Sequence, residues 1–509
     1  MAKTPSTRLF DLVKSLSGSE KRYFKLSTKK DGDSKYLRLF EAIEEQAHFD
    51  DDLLKKIVYD GQEVRGKKFS ELKAYLYDLI LKNLQQFDEQ NSVDYQLKSL
   101  LLSVRSMFRR LRYKDCTYLL ASAKKIALRY EKFAIVLEII DWEKDLAYAR
   151  SDVDYFDTHL TNIRQEEEEC LAKMMQIKTY ESLFYELFLT AKTNTPQSEI
   201  LKEKVKKLTE HPFLKSDIAI SSFHSRVLYH RIKAILYHQK RDLENFYKTS
   251  KELIVLIESK KNLLKEDATH YISAINNFIV SCGFMEKHDE LRSSLTKLKK
   301  IKPNTKDDEL KIHRQYYTNY FRLCIITGEF KEGLIVLKKH LKEVKKLDSK
   351  LFERNIFFFQ YFYIHFGNGD FDQALTYLNK WLDLPRSVEQ KGLQILARIF
   401  NLILHYEMGN HILLDSLLKS TQRSLQKSKN YNAFEHLLFN CLRQANHLIN
   451  KREKKELFAD TAEKLRTTQW SPKERAILRL FYFEEWLLSK ALQKTFVEII
   501  RERAFKSKI

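Results

Sequence analysis

The sequence predicts an all-α fold. Three observations carry that expectation. Turn residues are scarce, with 11 Gly and 6 Pro in 509 residues, whereas a sheet protein needs them at nearly every strand end. From Lys67 to Ser281 there is no glycine, and only Pro196 and Pro212 interrupt. Apolar residues recur there at three- and four-residue spacing. Leu119, Leu120, Ala123, Ile126 and Ala127 thus share one side of a helix. The apolar share of 43% excludes wholesale disorder, because it supplies enough surface to bury against the cost of ordering the chain.

In chain order, residues 1–95 form an N-terminal helical region. Its pattern predicts helices over 18–27, 34–47, 51–58 and 68–87. Ser17-Gly18-Ser19-Glu20 supplies a capping box for the first of them. Ile57 to Val64 contains Asp60-Gly61, a pair that can make a tight hairpin turn. Three helices and a hairpin would be a winged-helix-like reader of DNA. A helical cap is favoured, because the strands would be only about three residues long and repeat arrays need shielded ends. Residues 96–469 carry the helical pattern throughout. Glu210-His211-Pro212 and Asp383-Leu384-Pro385 read as helix stops. Residues 470–509 read as C-terminal capping helices, opened by the capping box Ser471-Pro472-Lys473-Glu474.

The middle region repeats. Gly369-Asp370-Phe371-Asp372-Gln373-Ala374-Leu375 leads into a helix that runs to Leu384-Pro385. The glycine turns the chain, Phe371 packs back, and small Ala374 lets paired helices approach. Gly328-Glu329-Phe330 precedes this turn by 41 residues, and Gly409-Asn410-His411 follows it by 40. Weaker versions align near Glu286, Arg241, Ser151 and Leu111. The segment Gly369–Pro385 resembles the turn and second helix of a tetratricopeptide repeat. That resemblance implies a right-handed α-α superhelix, a TPR-like solenoid, that holds a peptide in a concave groove. The period departs from the family norm of about 34 residues, so each helix should be about a turn longer. Phe321, Phe362 and Leu402 stand where the family places a small residue, which implies looser packing.

With the glycine turns as register, a column of side-chain amides emerges: Asn277, Asn319, Gln360, Asn401 and Asn440. The resemblance places this part of each first helix on the groove, with Arg322, Tyr363 and Arg398 beside it. An amide donates and accepts at once, so such a column can hold an extended peptide backbone. It can equally be an internal ladder tying neighbouring helices together, which is the commoner use.

The net charge is +21, from 90 Lys and Arg against 69 Asp and Glu. Basic clusters occur at Arg105, Arg109, Arg110, Arg112 and Lys114, at Lys297, Lys299, Lys300 and Lys302, and at Lys451, Arg452, Lys454 and Lys455. Helical spacing makes solvated faces the simpler reading, and a phosphate-contacting stripe the alternative. Cys116, Cys170, Cys282, Cys324 and Cys441 are odd in number and widely spaced, as in a reducing compartment. The N-terminus has no uninterrupted apolar run, and Ile356 to Phe366 is too short to span a bilayer. A cytoplasmic protein with no membrane partner is expected.

Signatures of catalysis are missing: no HExxH, GxxxxGK[ST], GxSxG or GxGxxG occurs. His224, His230 and His238 lack the spacing of a helical metal pair, and Glu166 to Glu169 wrap around a helix as a solvated run. The expectation is a non-enzymatic scaffold that needs neither cofactor nor metal and binds another protein or peptide. A nucleic-acid-associated regulator is the alternative.

Overall fold

The computed structural model describes residues 7–28, 34–62, 64, 66–89, 92–193, 199–215, 220–266, 268–345, 347, 352, 355–384, 391–427 and 433–506. Among the described residues every regular element is a helix and no strand occurs. The chain divides into two compact units, Met1–Gln176 and Ile177–Ile509.

The first unit opens with α1 Arg8–Ser15, α2 Gly18–Thr28, α3 Lys35–Glu45, α4 Asp51–Val58 and α5 Gly66–Glu89. Four of these are the helices the pattern predicts; α1 is additional. Leu9, Val13, Phe24, Leu39, Phe40, Leu54, Val58, Leu76 and Ile80 form their shared core. The capping box at Ser17 is made: its N–H donates to the Glu20 carboxylate (2.5 Å), and the Glu20 N–H donates to Ser17 Oγ (3.3 Å).

The hairpin that Asp60-Gly61 could make does not form, in line with the favoured helical reading. Ile57 and Val58 complete α4, Asp60 turns left-handed (φ 51°), and the Gly61 N–H donates to the Lys56 carbonyl at 2.9 Å. An Asp-Gly pair tolerates positive φ in a hairpin turn and in a helix C-terminal turn alike. The apolar spacing of Leu54 and Val58 decides for the helix, since both are buried in the same core.

The unit continues with α6 Val93–Phe108, α7 Tyr113–Arg129, α8 Phe133–Ala149 and α9 Val153–Thr193, the last running through the division point. Left-handed residues Leu111, Glu131 and Ser151, twenty residues apart, make the three turns between them. The second unit comprises α10 Glu199–Thr209, α11 Pro212–Lys215, α12 Phe223–Lys240, α13 Leu243–Glu258, α14 Lys261–Glu266, α15 Ala268–Phe284, α16 His288–Lys300, α17 Lys306–Thr327 and α18 Phe330–Val344. It ends with α19 Asn355–Gly367, α20 Phe371–Leu382, α21 Lys391–Glu407, α22 His411–Lys427, α23 Ala433–His447, α24 Lys451–Thr467, α25 Pro472–Leu478, α26 Phe483–Leu492 and α27 Phe496–Lys506. Thr209 closes α10 before Pro212, which opens the next short helix, and α20 stops at Leu382; Pro385 lies outside the described residues.

Helices α12 with α13, α15 with α16, α17 with α18, α19 with α20, α21 with α22 and α23 with α24 pack in pairs, and α15 packs on α17, α17 on α19, α21 on α23. This is a helical-repeat solenoid. Its turns use left-handed residues at Arg241, Glu286, Gly328, Gly369 and Gly409, the last four spaced by 42, 41 and 40 residues. Each closes with one hydrogen bond pattern. The N–H after the left-handed residue donates to the carbonyl five residues back: Asp242 to Tyr237, Lys287 to Cys282, Glu329 to Cys324, Asp370 to His365 and Asn410 to His405. The positions aligned weakly at Leu111, Ser151, Arg241 and Glu286 are thus turns of the same geometry as the glycine turns.

A non-glycine residue in that conformation carries a strain of roughly 1 kcal/mol or more, and glycine gives part of this back through a more flexible unfolded chain. Glu286→Gly should therefore stabilise the unit by several tenths to about 1 kcal/mol, read as a rise of about 1–3 °C in Tm by differential scanning calorimetry. An unchanged or lowered Tm would show that the Glu286 side chain contributes more than the strain removes.

Ala374 is fully buried among Phe362, Phe366, Leu378 and Trp381, as its small size suggests. Phe321, Phe362 and Leu402 are also fully buried. The C-terminal segment runs back along the array. Helix α26 packs on α24, and α27 reaches α17. The Phe481 ring centre lies 5.3 Å from Phe366 and 5.1 Å from Phe400, and Phe496 lies 6.1 Å from Phe330. Arg501 Nε donates to the Gly328 carbonyl at 3.1 Å, tying α27 to a repeat turn. Among the described residues no helix is long and apolar enough to cross a membrane.

Candidate partner-binding face

The amide column lies on the first helices of successive hairpins, and its central members bind within the unit. Asn319 Nδ2 on α17 donates to Asn276 Oδ1 on α15 (2.8 Å) and to the Gln315 carbonyl (2.8 Å). Gln360 Nε2 on α19 donates to the Thr318 carbonyl on α17 at 2.9 Å. Both side chains are buried, and each joins one first helix to the preceding one. The α15 member of this ladder is Asn276; Asn277, the residue read from the register, is half-buried beside it. Adjacent asparagines point 100° apart around a helix, so a register one residue out selects the wrong neighbour.

The remaining column residues are not brought into the ladder. Asn440 Nδ2 sits 2.6 Å from His436 Nδ1, one turn earlier on its own helix. Asn401 is half-buried on α21, and Arg398 is exposed one turn before it. Arg322 is half-buried, with its guanidinium carbon 5.0 Å from the Phe284 ring centre; burial pulls its pKa down. Tyr363 is buried, and its hydroxyl accepts the Tyr482 N–H at 3.0 Å. Burial raises its pKa. The returning C-terminal segment therefore covers Tyr363. Trp486 Nε1 and Lys490 Nζ donate to the Glu407 carboxylate, each at 2.6 Å, and fix that segment from its other side.

Two polar groupings escaped the sequence reading. Lys124 Nζ bridges Glu143 and Glu166, at 2.9 Å to each, and Lys144 Nζ meets Glu167 at 2.6 Å. Burial pulls the Lys124 pKa down, but its hydrogen bonds to Glu166 and Glu143 outweigh this and raise it. Part of the glutamate run is therefore held in a network between helices. In the second unit, His313 Nε2 lies 3.1 Å from His340 Nδ1, and His340 Nε2 lies 2.6 Å from the Tyr361 hydroxyl. His313 Nδ1 lies 3.6 Å from Glu343, which also accepts the Tyr317 hydroxyl at 2.8 Å. A search for histidines at i, i+4 misses this chain, because its members stand on three helices.

All five cysteines are free and buried. Among the described residues no group of three or more His, Cys, Asp or Glu could hold a metal ion. No protein-family model matches the chain, and no curated protein matches it.

The first unit presents a different surface. The α6–α7 and α8–α9 turns lie at one end of that antiparallel stack, where α7 begins and α8 ends. There Leu111 is 72% exposed, Tyr118 78%, Tyr148 81% and Val153 73%. Arg109, Arg110, Arg112, Lys114 and Arg150 are exposed at the same end. Arg112 Nε is paired with Asp115 at 2.6 Å, and Arg150 with Asp152 at 2.9 Å.

Proposed function

We propose that this chain is a non-catalytic helical-repeat scaffold, TPR-like in its repeat, that binds another protein through the exposed turn edge of its first unit. The observation that carries the reading is the exposure of Leu111, Tyr118, Tyr148 and Val153, each about three-quarters exposed, at or within two turns of the α6–α7 and α8–α9 turns. Large apolar side chains left exposed at turns that also carry exposed arginine and lysine are a mark of a contact site. The arginine and lysine rim favours an acidic partner segment with apolar anchors. In the sequence-derived groove, Asn277, Arg322, Asn401, Asn440 and Arg398 keep solvent access and can contribute secondary contacts. Asn319 and Gln360 serve the ladder, and Tyr363 serves the core. A reducing, cytoplasmic setting suits five buried free thiols.

The test uses the full chain carrying Leu111→Asp with Tyr148→Asp. Two charges placed in a contact core should weaken capture of its principal partner at least tenfold, with Tm unchanged because both positions are exposed. Capture is scored by quantitative affinity purification with and without nuclease. Capture that survives the variants would remove this edge from the proposal. Capture abolished by nuclease alone would favour the nucleic-acid alternative.

A further inference from the structure

The basic cluster at the end of α16 meets a crevice that the scaffold reading does not use. It has a volume of about 260 Å³ and opens between α16 and α17. Arg292, Thr296, Lys299 and Lys300 line it from α16, and Tyr316 and Tyr320 from α17. The Lys299 ammonium lies over the Tyr316 ring, 5.0 Å from its centre, so that ring positions the lysine. The Tyr320 hydroxyl donates to Glu332 at 3.3 Å and fixes the second ring.

The crevice lining carries Arg292, Lys299 and Lys300 and no carboxylate. Around it, Glu329 pairs with Arg292 and Glu258 with Lys297 at 2.9 Å, while Glu332 and Glu343 accept the Tyr320 and Tyr317 hydroxyls and keep their charge outside the lining. Lys339 of α18 approaches Lys299 closely, and burial together with that like charge lowers the Lys299 pKa. Glu343 of α18 acts on Lys299 and opposes the fall in its pKa. Ammonium groups that line a crevice beside an aromatic face, with the acids kept outside the lining, make a receptor for an anion attached to a ring.

We propose that this crevice binds a small phosphate monoester carried on a flat ring, the chemistry of a mononucleotide. Lys299 and Lys300 take the phosphate oxygens as hydrogen-bond donors, and Tyr320 offers its ring for stacking. The site is independent of the partner edge, which lies in the other unit.

The test is isothermal titration of the full chain with AMP, adenosine and inorganic phosphate. AMP should bind one to one and saturably, with adenosine and phosphate each at least tenfold weaker. Lys299→Gln with Lys300→Gln should weaken AMP at least tenfold without lowering Tm, since both side chains are exposed. Tyr320→Leu should weaken AMP while leaving phosphate unchanged. No saturable AMP binding, or AMP binding that survives the double lysine variant, would overturn the site. Phosphate binding as tightly as AMP would overturn its assignment to a ring-bearing ligand.

Discussion

Gly367→Ala should destabilise the second unit by about 3 kcal/mol or more, at the upper end of what overpacking costs. Gly367 closes α19 directly above Phe330, the first residue of α18. A Cβ at this position would stand 2.3 Å from Phe330 Cδ1 and 2.4 Å from its Cγ. Cγ is not a free end that can swing aside. The Phe330 ring is itself held, stacked 6.3 Å from Tyr363 and 6.1 Å from Phe496. One methyl group must therefore displace either the α18–α19 contact or the C-terminal helix. Phe330→Leu in the same background removes the obstructing ring edge. The double variant should lose less than the two single losses combined, a coupling measurable by urea denaturation. Additive losses would mean that the close approach is not what Gly367 serves.

Mild acid should destabilise the same unit steeply through its histidine chain. His340 is fully buried, and burial, with His313 beside it, lowers its pKa from 6.5 to about 3. Burial lowers the pKa of His313 as well. Above pH 6.5 both rings are neutral in the folded and unfolded chain, and folding loses nothing. Below pH 6.5 the unfolded chain takes up protons that the folded chain refuses, so stability falls with pH until about pH 3. Each such histidine contributes a slope of about 1.4 kcal/mol per pH unit. From pH 6.5 to pH 4.5 His340 alone should cost about 2.3 kcal/mol. His340→Gln keeps a donor and an acceptor but cannot titrate. Its stability, measured by urea denaturation between pH 7 and pH 4.5, should fall less steeply than the parent's by about one proton. Equal slopes would show that His340 is protonated in the folded unit.

Local features were legible in the sequence, and long-range ones were not. The turns at Gly328, Gly369 and Gly409 announce themselves because glycine takes positive φ without strain. Alignment at the same period found Leu111, Ser151, Arg241 and Glu286, where residue type alone says nothing. The capping box at Ser471 and the burial of Ala374 follow from short spacings that fold within a turn or a hairpin. Asp60-Gly61 was ambiguous because its conformational preference serves two kinds of turn. The return of residues 470–506 along the array left no local mark: Phe481 and Phe496 look like any amphipathic helix residues until Phe366 and Phe330 are in place. Within the site, the ladder depended on choosing Asn276 over Asn277, a difference of one residue that only helix rotation resolves. The exposed edge at Leu111 and Tyr148 was hidden for a similar reason. An apolar side chain at helical spacing reads as core until its exposure is known.

The central claim is a division of labour, with the amide ladder holding the second unit together and the turn edge of the first unit binding the partner. One crossed measurement tests it: partner capture and Tm, side by side, for Asn319→Ala with Gln360→Ala and for Leu111→Asp with Tyr148→Asp. The amide pair should lower Tm, because each truncation breaks a buried hydrogen bond with a net value of about 0.5–1.5 kcal/mol, and should leave capture intact. The edge pair should leave Tm intact and lose capture at least tenfold. The reverse pattern, with capture lost in the amide variant at unchanged Tm and kept in the edge variant, would contradict the account and return the binding site to the amide column.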